Sequence, residues 1–193
     1  MSDFFDVEVI TLSDLREDQQ GVLISDLAEI ICEVFSEPPW NESFSAARIM
    51  FGLGVEMMRK NSILVTAKHQ QYGRLIGYIL GQELVVKSDD PRDQTFFKIS
   101  GGQELDFLAH NNQRTFYVSG LGVRANYRRL GVAEQLSAAL LKELKQNKFA
   151  YRLGRTDIKA VGMRNLYSKQ GFKELPVRDI NYPERSYWLL LLN

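Results

Sequence analysis

Between Thr115 and Leu144 the period of the apolar residues changes once, and that change fixes most of what this stretch can become. TFYVSGLGV, residues 115 to 123, reads as a strand. Further on, Val132, Leu136, Ala139, Leu140 and Leu144 recur at i, i+4, i+7, i+8 and i+12, which is one stripe of a helix, while Glu134, Lys142, Glu143 and Lys145 point elsewhere. A helix therefore starts at about Gly131, directly behind Arg128 and Arg129. Glycine permits a tight turn and a close approach of the backbone to another body. The first N–H groups of a helix have no internal partners and sit at the positive end of the macrodipole, so an anion can bind there.

The rest of the chain supplies the partners of this unit. Val7 to Thr11 alternates as an edge strand; Gly21 to Phe35 and Phe44 to Arg59 are amphipathic helices separated by SEPPWNES, whose prolines forbid continuation. Ser62 to Lys68 and Leu75 to Val85 form a hairpin through HQQYGR. A polar excursion follows at 86–114, long enough to be a functional or mobile insertion. After the long helix come a strand at Tyr151 to Lys159, a short helix at Val161 to Gln170 stopped by Gly171, and a closing pair of strands at Phe172 to Leu175 and Ser186 to Leu192. Gly120 and Gly122 inside their strand mark a bulge or a place where a ligand or another backbone comes close.

The 193 residues fit a single domain, 1–193, and 45% hydrophobic with 25% charged residues is ordinary globular composition. The lone Cys32 has no internal disulfide partner, the N-terminus lacks a signal-peptide pattern, and no apolar run approaches the roughly 20 residues of a membrane span. These features lead us to expect a cytoplasmic protein without a membrane partner. Formal net charge is zero, which argues against nucleic acid, but residues 1–113 hold 9 basic against 18 acidic side chains and residues 114–173 hold 13 against 3. Either the charges are solvated surface, or a basic half holds a phosphorylated cofactor and an acidic half draws a cationic substrate. His69 and His110 fall in apparent loops and form no metal-ligand cluster, so no metal is expected.

Arg128, Gly131 and Ala133 read Arg-x-x-Gly-x-Ala, preceded by LGV and followed downstream by LYSKQGF, Leu166 to Phe172. The segment from Tyr117 to Phe172 thereby resembles the GNAT superfamily of acyl-CoA-dependent N-acyltransferases, whose cofactor loop is Gln/Arg-x-x-Gly-x-Gly/Ala and whose later signature is Leu-Tyr-x-x-x-Gly-Phe. The resemblance covers roughly a third of the chain. It implies an α/β (α+β) fold: a mixed, mostly antiparallel sheet of about seven strands, splayed at the cofactor site and flanked by about four helices. It also implies acetyl-CoA as donor, its pyrophosphate cradled by the N–H groups of Arg129, Leu130, Gly131, Val132, Ala133 and Glu134, with charge from Arg128 and Arg129. The main chain of Leu121, Gly122 and Val123 would pair with the pantetheine amides as an added strand does.

In the same resemblance an amine attacks the thioester directly, a backbone N–H of Leu121 or Val123 faces the developing oxyanion, and Tyr167 is the acid for the departing thiolate. Ala160 stands where the family often has asparagine; Asn165 is the nearby candidate for that cofactor contact. A base is less evident, because the strand face offers Tyr117, Ser119, Leu121 and Val123; Glu83, Glu42 or water remain as relays. Acceptor selection is implied to involve PPWNES, the 86–114 excursion and VRDINYPERS, with Trp40, Glu42, Tyr117 and Ser119 as the candidate contacts. The acceptor expected is a primary amine, with a small cationic molecule favoured over a protein lysine or N-terminus, and the protein a monomer or homodimer. A non-catalytic acyl-CoA-binding sensor is the alternative from another class.

Overall fold

The computed structural model describes residues 4–11, 14–59, 61–84, 108, 113–179 and 181–192. Their elements run β1 (Phe5–Ile10), α1 (Glu17–Ser36), α2 (Ala46–Met57), β2 (Ile63–His69), β3 (Leu75–Glu83), β4 (Thr115–Val123), a 3-10 turn (Ala125–Tyr127), α3 (Val132–Gln146), β5 (Tyr151–Asp157), α4 (Val161–Lys169), β6 (Lys173–Arg178) and β7 (Arg185–Leu191). The strands form one open sheet in the order β1-β2-β3-β4-β5-β7-β6. Pairs β1/β2, β2/β3, β5/β7 and β6/β7 are antiparallel, and β4/β5 is parallel. Most of the 86–114 excursion, His110 included, lies outside the described residues. The chain folds as two compact units, each discontinuous in sequence: Met1–Gln82 with Gly120–Glu143, and Glu83–Ser119 with Leu144–Asn193.

In the first unit α1 begins at Glu17, ahead of the expected Gly21. The cause is local: Gln19 Oε1 accepts the Arg16 N–H at 3.0 Å, and Glu17 and Asp18 put negative charge in the first turn. Leu23, Leu27, Ala28 and Ile30 then face Leu53 and Met57 of α2 and Leu64, Leu75, Tyr78 and Leu80 of β2 and β3. Each large apolar side chain so buried contributes about 1.5–3 kcal/mol. His69 is the last residue of β2 rather than part of a loop.

Gly120 and Gly122 have a different reason from the one their sequence suggested. A Cβ on Gly120 would stand 2.8 Å from the Tyr78 hydroxyl, and one on Gly122 would stand 2.7 Å from Tyr78 Cε1. The two glycines make room for a tyrosine ring that is 1% exposed, so one body that comes close is this chain's own Tyr78 side chain. Gly122→Ala should therefore destabilise the fold by about 1–3 kcal/mol through overpacking. Thermal unfolding checks this, since about 2–4 °C is lost per kcal/mol in a chain of this size; an unchanged midpoint would show that Tyr78 moves aside freely.

In the second unit β5 lies between β4 and β7. By alternation, Arg152, Gly154 and Thr156 share one face of β5. Leu153, on the other face, packs with Leu108, Val177 and Tyr187. Pairing of β4 with β5 runs from Thr115↔Tyr151 to Val118↔Gly154 and stops there, although β4 continues to Val123 and β5 to Asp157. Gly171 ends α4 with φ +83°, the left-handed geometry expected of it.

Candidate active site

The turn between β4 and α3 belongs to the first unit and is held at three points. Tyr127 stacks on Phe4 (ring centroids 6.4 Å apart) and meets His69 edge to face (5.9 Å). Arg128 donates through Nε to the Val123 carbonyl at 3.0 Å and pairs with Glu37 Oε2 at 2.5 Å. Val132 and Leu136 anchor the far side, reaching 3.1 and 3.2 Å from where a Cβ on Gly77 would stand, so that glycine lets α3 close onto β3. Between the anchors the backbone turns left-handed twice, at Arg129 (φ +62°) and Gly131 (φ +83°). Non-glycine residues are rarely left-handed, and such conformations gather at ligand clamps.

The first main-chain bond of α3 is donated by Gln135 to the Gly131 carbonyl at 3.0 Å. The N–H groups ahead of it therefore lack acceptors within the helix. Arg129, Leu130 and Glu134 are exposed, Gly131 and Ala133 half-buried, and Val132 is core, so Val132 offers only its main chain. The two arginines differ: Arg128 is tied into the turn itself, whereas Arg129 projects from it. Of the three β4 residues expected to pair with pantetheine, Val123 accepts a bond from Arg128 at its carbonyl, and Gly122 is buried beside the Tyr78 ring. Leu121 is half-buried.

The charge division along the chain proves to be partly internal neutralisation. Arg124, 4% exposed, donates to the Leu75 carbonyl at 2.9 Å and to Glu29 at 3.2 Å, and pairs with Glu33 as well. Arg128 takes Glu37, and Arg114 grips Glu83 with two bonds of 2.8 and 2.9 Å. Hydrogen bonding to Arg124 holds the Glu29 carboxyl below the usual carboxylate range. Cations of residues 114–173 and anions of residues 1–113 thus meet each other, which removes much of the sequence argument for a cation-attracting half. Glu83, a candidate relay for the amine proton, has both carboxylate oxygens bonded to Arg114.

Trp40 and Glu42 stay in the first unit. The Trp40 ring packs on Phe35 with centroids 5.3 Å apart, and the Glu42 N–H donates to the Phe35 carbonyl at 2.8 Å. They lie on the segment that supplies Glu37 to Arg128.

The second unit holds Tyr167. Its ring lies 4.6 Å from Phe172 and 5.6 Å from Trp188, and only 2% of the residue is exposed. A Cβ on Gly154 would stand 2.1 Å from the Tyr167 hydroxyl. The phenol therefore reaches the backbone of β5 at its last residue paired with β4, and glycine alone leaves it space. Burial pushes the phenol up to about 12, Tyr117 adds to this, and the charge of Arg152 opposes it. Tyr117 is half-buried against Leu153 and Tyr187, Ser119 is exposed, and Asn165 is exposed on α4. Ala160 is buried at the start of α4, its N–H bonded to the Asp157 carbonyl at 3.0 Å. Sequence reasoning missed Gly154 and Arg152; a glycine in the middle of β5 was the one available signal. Among the described residues no three of His, Cys, Asp and Glu gather as metal ligands, and no helix is long and apolar enough to cross a membrane.

This fold and these motifs coincide with a known family. Residues 24–172 match the model of the acetyltransferase (GNAT) family, and the chain belongs to it. No curated protein matches the sequence. Among solved structures, the chain resembles one from the NatC complex bound to Gag peptide and CoA, at 17% identity and TM-score 0.65 over 98% of this chain and 99% of that one. Arabidopsis thaliana NAA60 in complex with a bisubstrate analogue gives 13% identity and TM-score 0.63, covering 98% of each chain. A GNAT acetyltransferase from Staphylococcus aureus gives 13% and 0.64, covering 97% of this chain and all of that one. At such identities the likeness is one of fold.

Proposed function

We propose that this protein is an N-acetyltransferase that moves an acetyl group from acetyl-CoA to a primary amine by direct transfer. The observation that carries the reading is the doubly left-handed turn at Arg129 and Gly131, opening uncommitted N–H groups at the start of α3. Residues Arg129 to Glu134 would hold the pyrophosphate through their main chain, with Arg129 adding charge. Leu121, Gly122 and Val123 would offer their main chain to the pantetheine, and Asn165 a further polar contact. The bound donor supplies an activated acetyl thioester. Tyr167 keeps a proton ready at its hydroxyl beside Gly154, while Phe172 and Trp188 pack against its ring.

Trp40, Glu42, Tyr117 and Ser119 are the proposed acceptor contacts. Small cationic amines stand among the proposed acceptors, although the internal pairing of the acidic side chains weakens the case for preferring them. The related NatC structure holds a peptide, which brings peptide amines into the same comparison. With Glu83 held by Arg114, the amine proton would pass to Glu42 or to water, or the acceptor would arrive as the free amine. The engagement of Glu83 by Arg114, with Ala160 standing where the family often has asparagine, favours, as the rival reading, a domain that binds acyl-CoA without turning it over.

Thiol release from acetyl-CoA across polyamines, amino acids, aminoglycosides and peptides separates the two. Turnover with at least one amine class is expected; CoA binding without turnover on any would establish the rival. Tyr167→Phe should lower kcat by roughly 100-fold with CoA affinity little changed, and an unaltered kcat would remove the acid role. The sign of the pH dependence follows from the raised phenol. A group that ionises only near about 12 stays protonated throughout neutral and mildly alkaline solution, so kcat should not decline between roughly pH 7 and 10. A fall in that window, absent from Tyr167→Phe, would contradict it.

A further inference from the structure

Arg152 is the largest fully buried side chain in the molecule's described part, 1% exposed, and nothing in the motifs accounts for it. A guanidinium is among the costliest groups to withdraw from water, so its position calls for a reason. It lies on β5 two residues before Gly154, on the same strand face, and Gly154 is the residue under the Tyr167 hydroxyl. Its guanidinium carbon sits 5.2 Å from the centre of the Phe172 ring, and Phe172 is the ring against which Tyr167 packs at 4.6 Å. Cation and phenol thus share one aromatic neighbour and one strip of β5.

We infer that Arg152 is a positioning residue whose fixed positive charge, buried beside Tyr167, stabilises the phenolate left when that tyrosine gives up its proton. The inference rests on the proposed acid role of Tyr167. In the step concerned, the amine nitrogen forms its bond to the acyl carbon and the carbon–sulfur bond breaks with its electron pair on sulfur. The Tyr167 proton moves to that sulfur, the nitrogen loses its extra proton to water, and water reprotonates the phenolate before the next turnover. In a low-dielectric site the new anion is costly unless a cation stands close, and Arg152 is already there with no reorganisation required. Arg152 opposes the effect of burial on the phenol, and although its own burial lowers it to about 10, it stays charged at neutral pH. The other groups around the ring do not replace it. Tyr117 disfavours the phenolate, and Arg164, 5.0 Å from the centre of the Trp188 ring, is committed to Glu174 by bonds of 3.1 and 2.8 Å.

Two measurements test this on the full-length protein. In the first, fluorotyrosine is incorporated and the 19F resonance of Tyr167, assigned by its loss in Tyr167→Phe, is titrated with no donor present. Arg152→Met should raise its midpoint by about one pH unit or more, with Arg152→Lys between Met and wild type; coincident midpoints would overturn the inference. The second is a double-mutant cycle on kcat, with CoA affinity followed in parallel. Arg152→Met should lose roughly tenfold or more in kcat, Arg152→Lys should recover part of it, and in a Tyr167→Phe background Arg152→Met should cost almost nothing further. Equal losses in both backgrounds would make Arg152 structural and overturn the inference while leaving Tyr167 as the acid. A Tyr167→Phe variant as active as wild type would instead sink the acid role, and the inference with it.

Discussion

Gly154→Ala should reduce turnover by about 100-fold or more, because a methyl group would stand where the Tyr167 hydroxyl now lies and a displacement of about 1 Å in a catalytic group costs on that order. The Cβ would be 2.1 Å from the hydroxyl oxygen and 2.8 Å from the ring carbon bearing it. Neither gap is tolerable, and the ring cannot retreat easily with Phe172 and Trp188 packed on it. Overpacking of this kind also destabilises by about 1–3 kcal/mol. The two effects separate in a cycle with Tyr167→Phe. Removing the hydroxyl deletes the shorter contact, so Gly154→Ala should destabilise the phenylalanine variant less than it does wild type, as read from thermal unfolding. If the alanine is equally costly in both, or if Gly154→Ala keeps wild-type turnover, the hydroxyl does not occupy the place assigned to it.

Gly131→Glu should weaken CoA binding by about 100-fold or more, on the order of 3 kcal/mol. Nothing lies within 4 Å of where a Cβ would be, so the cause is not a clash within the protein. It is first the φ of +83°, which costs a residue with a Cβ about 1–2 kcal/mol. A carboxylate at the mouth of an anion-binding turn adds repulsion of about 1 kcal/mol or more. Gly131→Ala isolates the backbone part and should weaken binding only about tenfold. Isothermal titration with CoA distinguishes the variants; identical affinities for wild type and Gly131→Glu would place the phosphates elsewhere.

These two glycines also show what a sequence can and cannot reveal. Gly131 was legible because its cause is local: a strand period, a helix period and a forced turn between them all fall within thirty residues of chain. The same holds for Gly171 behind α4, and Tyr167 is a candidate because Leu166, Gly171 and Phe172 form a contiguous motif around it. Gly120 and Gly122 stand out in the sequence as anomalies, but the ring that needs them belongs to Tyr78 on another strand. Gly154 answers to a tyrosine on the following helix, and Arg152 acquires meaning only beside that ring. The charge division was counted correctly, yet its pairing through Arg114, Arg124 and Arg128 depends on contacts that no linear count contains. The start of α1 was placed late because the bond between Arg16 and Gln19 carries no apolar signature.

Donor binding as proposed requires the turn after β4 to grip a diphosphate through its main chain. Calorimetric titration of the protein with CoA and, separately, with pantetheine, which keeps the thiol arm but lacks the phosphates, addresses that claim directly. Saturable one-site binding of CoA, at least about 100-fold tighter than pantetheine and weakening as salt rises, is the predicted result. Absence of CoA binding at millimolar ligand, or equal affinity for both molecules, would contradict it.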